Sequence, residues 1–239
     1  MMSAEQLDQA VDNPQKDSRL IRRSFIIAAS FTLALWLIKS IELIFLFDLV
    51  QYGVYPRTLS GLKGLLFAPM IHGSLSHLFA NTAPLLILGS VLIYNYPKSA
   101  KIVIPVIYIA SGLGVWLFAR SAYHIGASGL TFGMMFFIFT IGVIRWDRKA
   151  IAFSLIVFFL YGSMIWGVFP TTPDISFESH LSGAILGIVF AILLKNHDPV
   201  PPKKRYSWED EQDDMDLEYT KSYDSSGLSQ SSNKENFPP

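Results

Sequence analysis

Residues 124–144 read HIGASGLTFGMMFFIFTIGVI, a serine set among small residues at the mouth of an apolar run as long as a membrane helix. Two readings compete. Gly126, Ala127, Ser128 and Gly129 can be small residues that let two membrane helices approach closely, or Ser128 can be a nucleophile whose neighbours have to be small. The rest of the chain decides between them.

Of the 239 residues 51% are hydrophobic, and they are gathered into blocks of about 15 to 25, the length a bilayer demands of a helix. This predicts an all-α, multi-pass membrane protein. The formal net charge is +0, so no global basic field points to nucleic acid. Cysteine is absent, which excludes thiol catalysis, cysteine-ligated metal and disulfides. The N-terminal stretch MMSAEQLDQAVDNPQKDSRL is polar and carries acids, unlike a cleaved signal or an Arg-rich transit peptide, so the first apolar block is expected to be retained.

The apolar runs place helices at Ser24 to Phe47, Ser76 to Tyr94, Ile102 to Phe118, Ser128 to Ile144, Ala150 to Phe169 and Ser179 to Leu194. Six segments put both termini on one side. Lys16, Arg19, Arg22 and Arg23 precede the first, Lys98 and Lys101 follow the second, and Arg145, Arg148 and Lys149 follow the fourth. Lys195, Lys203, Lys204 and Arg205 follow the sixth, whereas the opposite loops hold Arg57, Lys63 and Arg120. The positive-inside rule then predicts a six-transmembrane-helix bundle, N-in and C-in. The loop DLVQYGVYPRTLSGLKGLLFAPMIHG (48–73) is half apolar and is expected to lie in or on the membrane. The chain divides into a cytosolic N-terminal segment at 1–23, a six-helix domain at 24–194 and a disordered, acidic and Ser-rich cytosolic tail at 195–239. No internal repeat suggests an inverted-repeat transporter.

Polar side chains inside a spanning segment are costly, so each needs a partner or a function. Segments two, four and six run inward from the outer face in this topology. Their unusual polar groups fall near the start of each: His77 and Asn81, Ser128, and His180. These groups should therefore share one depth. His77 and Asn81, at i and i+4, lie on one face, as do His180, Gly183 and Gly187. Gly183 and Gly187 form one GxxxG pair and Gly129 and Gly133 another, which would let segments four and six meet backbone to backbone. That approach would bring Ser128 within reach of His180, a base able to take the hydroxyl proton. No aspartate lies at that depth to orient the histidine, so a Ser-His dyad is expected rather than a triad. Asn81, His77 and the backbone N–H of Ser128 can supply oxyanion donors, and Gly126 would allow a tight turn before the serine.

Other chemistries fit poorly. Leu130 stands where a G-x-S-x-G nucleophile elbow needs its last glycine, and no HExxH sequence is present for a zinc protease. His72 and His77 are five apart with no third ligand nearby. Glu42 has no matching aspartate for an aspartyl mechanism, and Lys39, at i−3, is expected to neutralise it. No metal or cofactor is expected.

Three separated motifs resemble those of the rhomboid family of intramembrane serine proteases over roughly Ser24 to Leu194. GASG is similar to the family's GxSG, SHLSGAILG to its HxxGxxxG, and HGSLSHLFAN to its HxxxxHxxxN. The resemblance implies Ser128 as nucleophile, His180 as base, and His77 and Asn81 at the oxyanion site. It also implies supporting roles for His72, Gly126, Gly129, Phe132, Gly183 and Gly187. Phe132 stands where many members carry a tyrosine that stacks on the catalytic histidine; its ring can still stack. The first loop has YPR where some members carry a Trp-Arg pair, so Arg57 is given no structural role. The implied substrates are transmembrane segments of other proteins, cut near the outer face, with the enzyme in a bacterial cytoplasmic (inner) membrane. The alternative is a catalytically silent rhomboid-fold protein that binds membrane-protein clients; retention of Ser128, His180 and both oxyanion candidates argues against it.

Overall fold

The computed structural model describes residues 14–170, 175–199, 215 and 218–221. The chain divides into two units, 1–200 and 201–239. In the second, residues 215 and 218–221 are helical, and the rest of that unit lies outside the described residues.

The first unit contains helices α1 (Pro14–Phe45), α2 (Leu75–Asn95), α3 (Pro97–Phe118), α4 (Ser128–Arg145), α5 (Arg148–Tyr161, continued by a 3-10 turn Gly162–Val168) and α6 (Phe177–Leu193). Among the described residues the β-type pairing is a single antiparallel bridge between Val54 and His124. Five of these helical stretches are long and apolar enough to cross a membrane, and α6 is a shorter apolar helix.

Helix α1 begins well before the expected Ser24, so the segment 1–23 is not wholly outside the helical domain. An apolar scan misses these turns because Asp17, Arg19, Arg22 and Arg23 are charged, yet charged residues are no obstacle to a helix and proline is tolerated in its first turn. The helix stops at Leu46, whose φ of 53° puts it in the left-handed region, while the N–H of Phe47 reaches back to the Glu42 carbonyl at 3.1 Å. Such a left-handed residue closes the last turn. Near this end Lys39 and Glu42 pair at 2.9 Å, both buried, as the sequence suggests.

Helix α4 is the central element. Its residues from Ser128 to Met135, with Phe137, Ile138, Ile141 and Gly142, are buried, as expected of a helix apolar on every side. Helix α5 is the reverse, burying Ala150, Ser154 and Val157 and exposing most of its remaining apolar side chains. The half-apolar first loop folds into short helical turns at Val50–Tyr52, Ser60–Lys63, Gly64–Phe67 and Ala68–Met70. It packs Val54 and Ala68 against Val115 and Ala119 of the α3 end. Arg57 does have a structural job there: its Nη1 donates to the Ala119 carbonyl at 2.9 Å and its backbone N–H to that of Trp116 at 3.0 Å.

The expected tail boundary at Lys195 also needs correction. Asp198 is buried and accepts from the backbone N–H groups of Lys98 (2.8 Å) and Ser99 (3.0 Å) and from the Ser99 hydroxyl (2.5 Å). A carboxylate at the start of α3 satisfies first-turn donors that have no carbonyl of their own. Arg145 adds bonds to the carbonyls of Asp198 and Pro199, each at 3.2 Å. Residues up to Pro199 thus belong to the folded unit, and an isolated aspartate among prolines gave no sign of this in the sequence.

Candidate active site

Close contact between α4 and α6 sets the site. A Cβ on Gly183 would fall on the carbonyl oxygen of Gly129, and one on Gly187 on that of Gly133. The two GxxxG pairs are therefore in register, and only glycine permits the approach. Ser128 stands just ahead of the first pair on α4, and His180 one turn ahead of it on α6. Both open onto one cavity of about 760 Å³, together with His77, Asn81, Phe132 and Gly167.

Ser128 is the first residue of α4 and is 9% exposed. Gly126 turns the chain into the helix with a φ of 109°, and a Cβ there would lie 2.8 Å from the His77 ring. The N–H of Gly126 is held by the Ala68 carbonyl at 2.8 Å and that of Ala127 by His72 Nε2 at 3.4 Å. As a first-turn donor, the N–H of Ser128 has no intrahelical carbonyl to bond.

The His180 ring lies flat on Phe132, centroids 4.0 Å apart and planes 8° apart, so the phenylalanine supplies the stacking face without a hydroxyl. His180 Nδ1 is 2.8 Å from the Gly167 carbonyl oxygen. A carbonyl can only accept, so Nδ1 carries the hydrogen and Nε2 of the neutral ring keeps its lone pair. The orienting group absent from the sequence reading is thus a backbone carbonyl. Gly167 falls near the end of the fifth apolar run, where a glycine is too common to be a signal.

Ser74 caps α2 by accepting the N–H of His77 at 3.0 Å, which puts His77 in the first turn and Asn81 one turn below. Asn81 spends one amide hydrogen on the His77 carbonyl at 3.0 Å and has a second to offer. His72 is only 1% exposed and, like the predicted glycines Gly126, Gly129, Gly183 and Gly187, does not line the cavity. Its ring packs edge-on against His77 at 5.0 Å, and its carbonyl accepts from Lys39 Nζ at 2.9 Å. Burial, helped by the nearby His77 and Lys39, pushes the His72 imidazole down to about 3, so it is neutral near pH 7. A neutral ring is what accepting the Ala127 N–H requires.

Among the described residues no hydrogen bond joins the Ser128 hydroxyl to His180. What the arrangement offers is a hydroxyl at a helix mouth, an imidazole with a fixed tautomer, and a side-chain amide and second imidazole on the same cavity. Such bonds are often long before substrate is bound.

The Rhomboid domain matches residues 60–197. An uncharacterized protein of Mycobacterium tuberculosis is 36% identical over 174 residues, covering 69% of this chain and 72% of the relative. Another, of Mycobacterium leprae, is 33% identical over 177 residues, covering 69% of each. With a domain match over most of its folded unit and several membrane-length apolar helices, the chain belongs to the rhomboid family and is a multi-pass integral membrane protein.

Proposed function

We propose that the protein is an intramembrane serine endopeptidase that cleaves transmembrane segments of other membrane proteins, with Ser128 as nucleophile and His180 as general base. The carrying observation is the fixing of His180: the Phe132 face and the Gly167 carbonyl leave Nε2 as the basic nitrogen in the cavity that Ser128 lines. In this reading Ser128 Oγ attacks the scissile carbonyl carbon and its proton passes to His180 Nε2. The hydrogen on Nδ1 stays on the Gly167 carbonyl and supports the imidazolium that forms.

The oxyanion then accepts from the Ser128 N–H, the free amide hydrogen of Asn81 and His77, each donor typically worth about 2.7 to 4 kcal/mol of barrier. His180 returns its proton to the leaving amine, and water releases the acyl group from Ser128 by the same steps. The chain crosses the membrane six times with both termini in the cytoplasm, and the cavity opens toward the outer face of a bacterial cytoplasmic membrane. Helix α6, 17 residues long, is about 25 Å from end to end, slightly less than a hydrocarbon core of about 30 Å; this suits a helix whose first turn carries polar chemistry just below the surface.

The test is covalent. A fluorophosphonate applied to detergent-solubilised protein should modify Ser128, mapped by mass spectrometry, and the reaction should fail in His180→Ala. Binding of transmembrane clients with neither labelling nor cleavage would favour the silent alternative.

A further inference from the structure

A second buried histidine lines the cavity without a part in the chemistry above. His124 is 4% exposed, and its backbone is fixed to Val54 of the first loop by paired bonds of 2.9 Å. Both ring nitrogens are used. Nε2 lies 3.0 Å from the Arg120 carbonyl oxygen, which can only accept, so Nε2 carries the hydrogen. In the neutral ring Nδ1 is then an acceptor, and Ser176 Oγ, at 2.6 Å, donates to it.

Ser176 is the residue that caps α6, its oxygen accepting the N–H of Ser179 at 3.3 Å. The one proton of the Ser176 hydroxyl goes to His124, so the carboxylate of Glu178, 3.4 Å from that hydroxyl, draws its donors elsewhere. They come from Arg120: Nη1 to both oxygens at 3.1 Å and the backbone N–H to Oε1 at 3.3 Å. Arg120 Nη2 also donates to the Ile175 carbonyl at 3.0 Å, and the guanidinium lies over the Phe177 ring at 5.8 Å. One end of the network is thus four residues before Ser128 and the other four residues before His180.

We propose that His124, Ser176, Glu178 and Arg120 form a latch of positioning residues that sets the separation of Ser128 and His180. This rests on the protease reading. The glycine pairs fix how closely α4 and α6 pack from Gly129 and Gly183 downward and leave to other contacts the segments that lead into the two helices. The latch closes them from above through the cap of the helix that bears the base. A displacement of about 1 Å at the reacting atoms can cost on the order of 10²-fold in rate, so a partial splay should appear in kcat.

The experiment measures kcat and KM on a fluorogenic transmembrane peptide, the rate of fluorophosphonate labelling of Ser128, and Tm in detergent. It uses wild type, His124→Ala, Ser176→Ala, their double variant and Ser176→Thr. The latch predicts that each alanine variant lowers kcat and the labelling rate about tenfold or more with KM within about twofold, the double variant being no worse than the poorer single one. Ser176→Thr, which keeps a hydroxyl and a good cap, should restore wild-type kcat. Should His124→Ala fail to fold, the Ser176 pair decides alone. Wild-type kcat in the folded alanine variants, a change in KM only, or a loss that follows Tm and is not rescued by threonine would overturn the latch while leaving the protease reading intact. A wild-type protein that neither cleaves nor is labelled would overturn that reading and the latch with it.

Discussion

A methyl group at Gly167 would lie 2.8 Å from Cζ of Phe132 and 3.0 Å from Nδ1 of His180. The carbonyl that fixes the histidine therefore depends on the absence of a side chain beside it. Gly167→Ala should lower kcat by about 10- to 10²-fold by tilting the ring. The segment around it buries no residue, so Tm should change little; wild-type kcat would show that the carbonyl does not orient the base. Asn81→Ala should lower kcat by about 10² to 10³ with KM nearly unchanged, and steady-state kinetics that moved only KM would remove Asn81 from the oxyanion site. His72 makes a prediction of a different kind. Its folded-state pKa of about 3 lies below the unfolded value of about 6.5. Between the two the unfolded chain binds a proton that the folded chain refuses, so this contribution is complete above about pH 6.5 and is lost as pH falls toward 3, at up to about 1.4 kcal/mol per pH unit. Tm measured from pH 8 to pH 4.5 should fall less steeply on the acid side in His72→Gln than in wild type; parallel curves would contradict the buried neutral ring. That Ser128, His180, His77 and Asn81 gather on one cavity was legible because their residue types and helical spacings are themselves the signal. Gly167 and His124 were not, since a carbonyl thirteen residues away from the ring it binds, or a hydroxyl in another loop, has no sequence pattern.

At the scale of elements, the packing of α4 on α6 was the most legible feature, because two GxxxG pairs state both the contact face and its register. Val at Gly183 or Gly187 would drive a branched side chain into the facing carbonyl oxygens, so both variants should lose activity and stability together, by about 1 to 3 kcal/mol or more. Alanine should be milder in each case. Gly162 is the matched control, since a Cβ there meets only the Phe158 ring at 3.5 Å; Gly142 is a poor one, being crowded by Ser154 and Ala150. Cleavage and melting of these variants in detergent test the point, and active, stable valine variants at Gly183 and Gly187 would remove the physical reason for pairing Ser128 with His180. Element ends were less legible than element faces. Hydropathy could not see the charged first turns of α1, nor the change from α-helix to 3-10 turn at Gly162, because neither alters the apolar character of the run.

Across the whole molecule, the polar chemistry gathers at the start of α2, α4 and α6, while the opposite end is closed by Asp198, Ser99 and Arg145. That closure was invisible in the sequence because it joins residues about a hundred positions apart through backbone donors. Asp198→Ala should leave buried donors unsatisfied, costing about 1 to 3 kcal/mol, and should lower Tm without changing kcat at a permissive temperature, because the clasp sits at the far end of α6 from His180. In the proposed reaction one hydroxyl and one imidazole act as a unit on a membrane-embedded peptide bond. The most direct measurement is cleavage of a reporter transmembrane protein in proteoliposomes by wild type, Ser128→Ala, His180→Ala and the double variant. Wild type alone should cleave, with each single variant as inactive as the double; turnover that persists in either single variant would rule out the dyad.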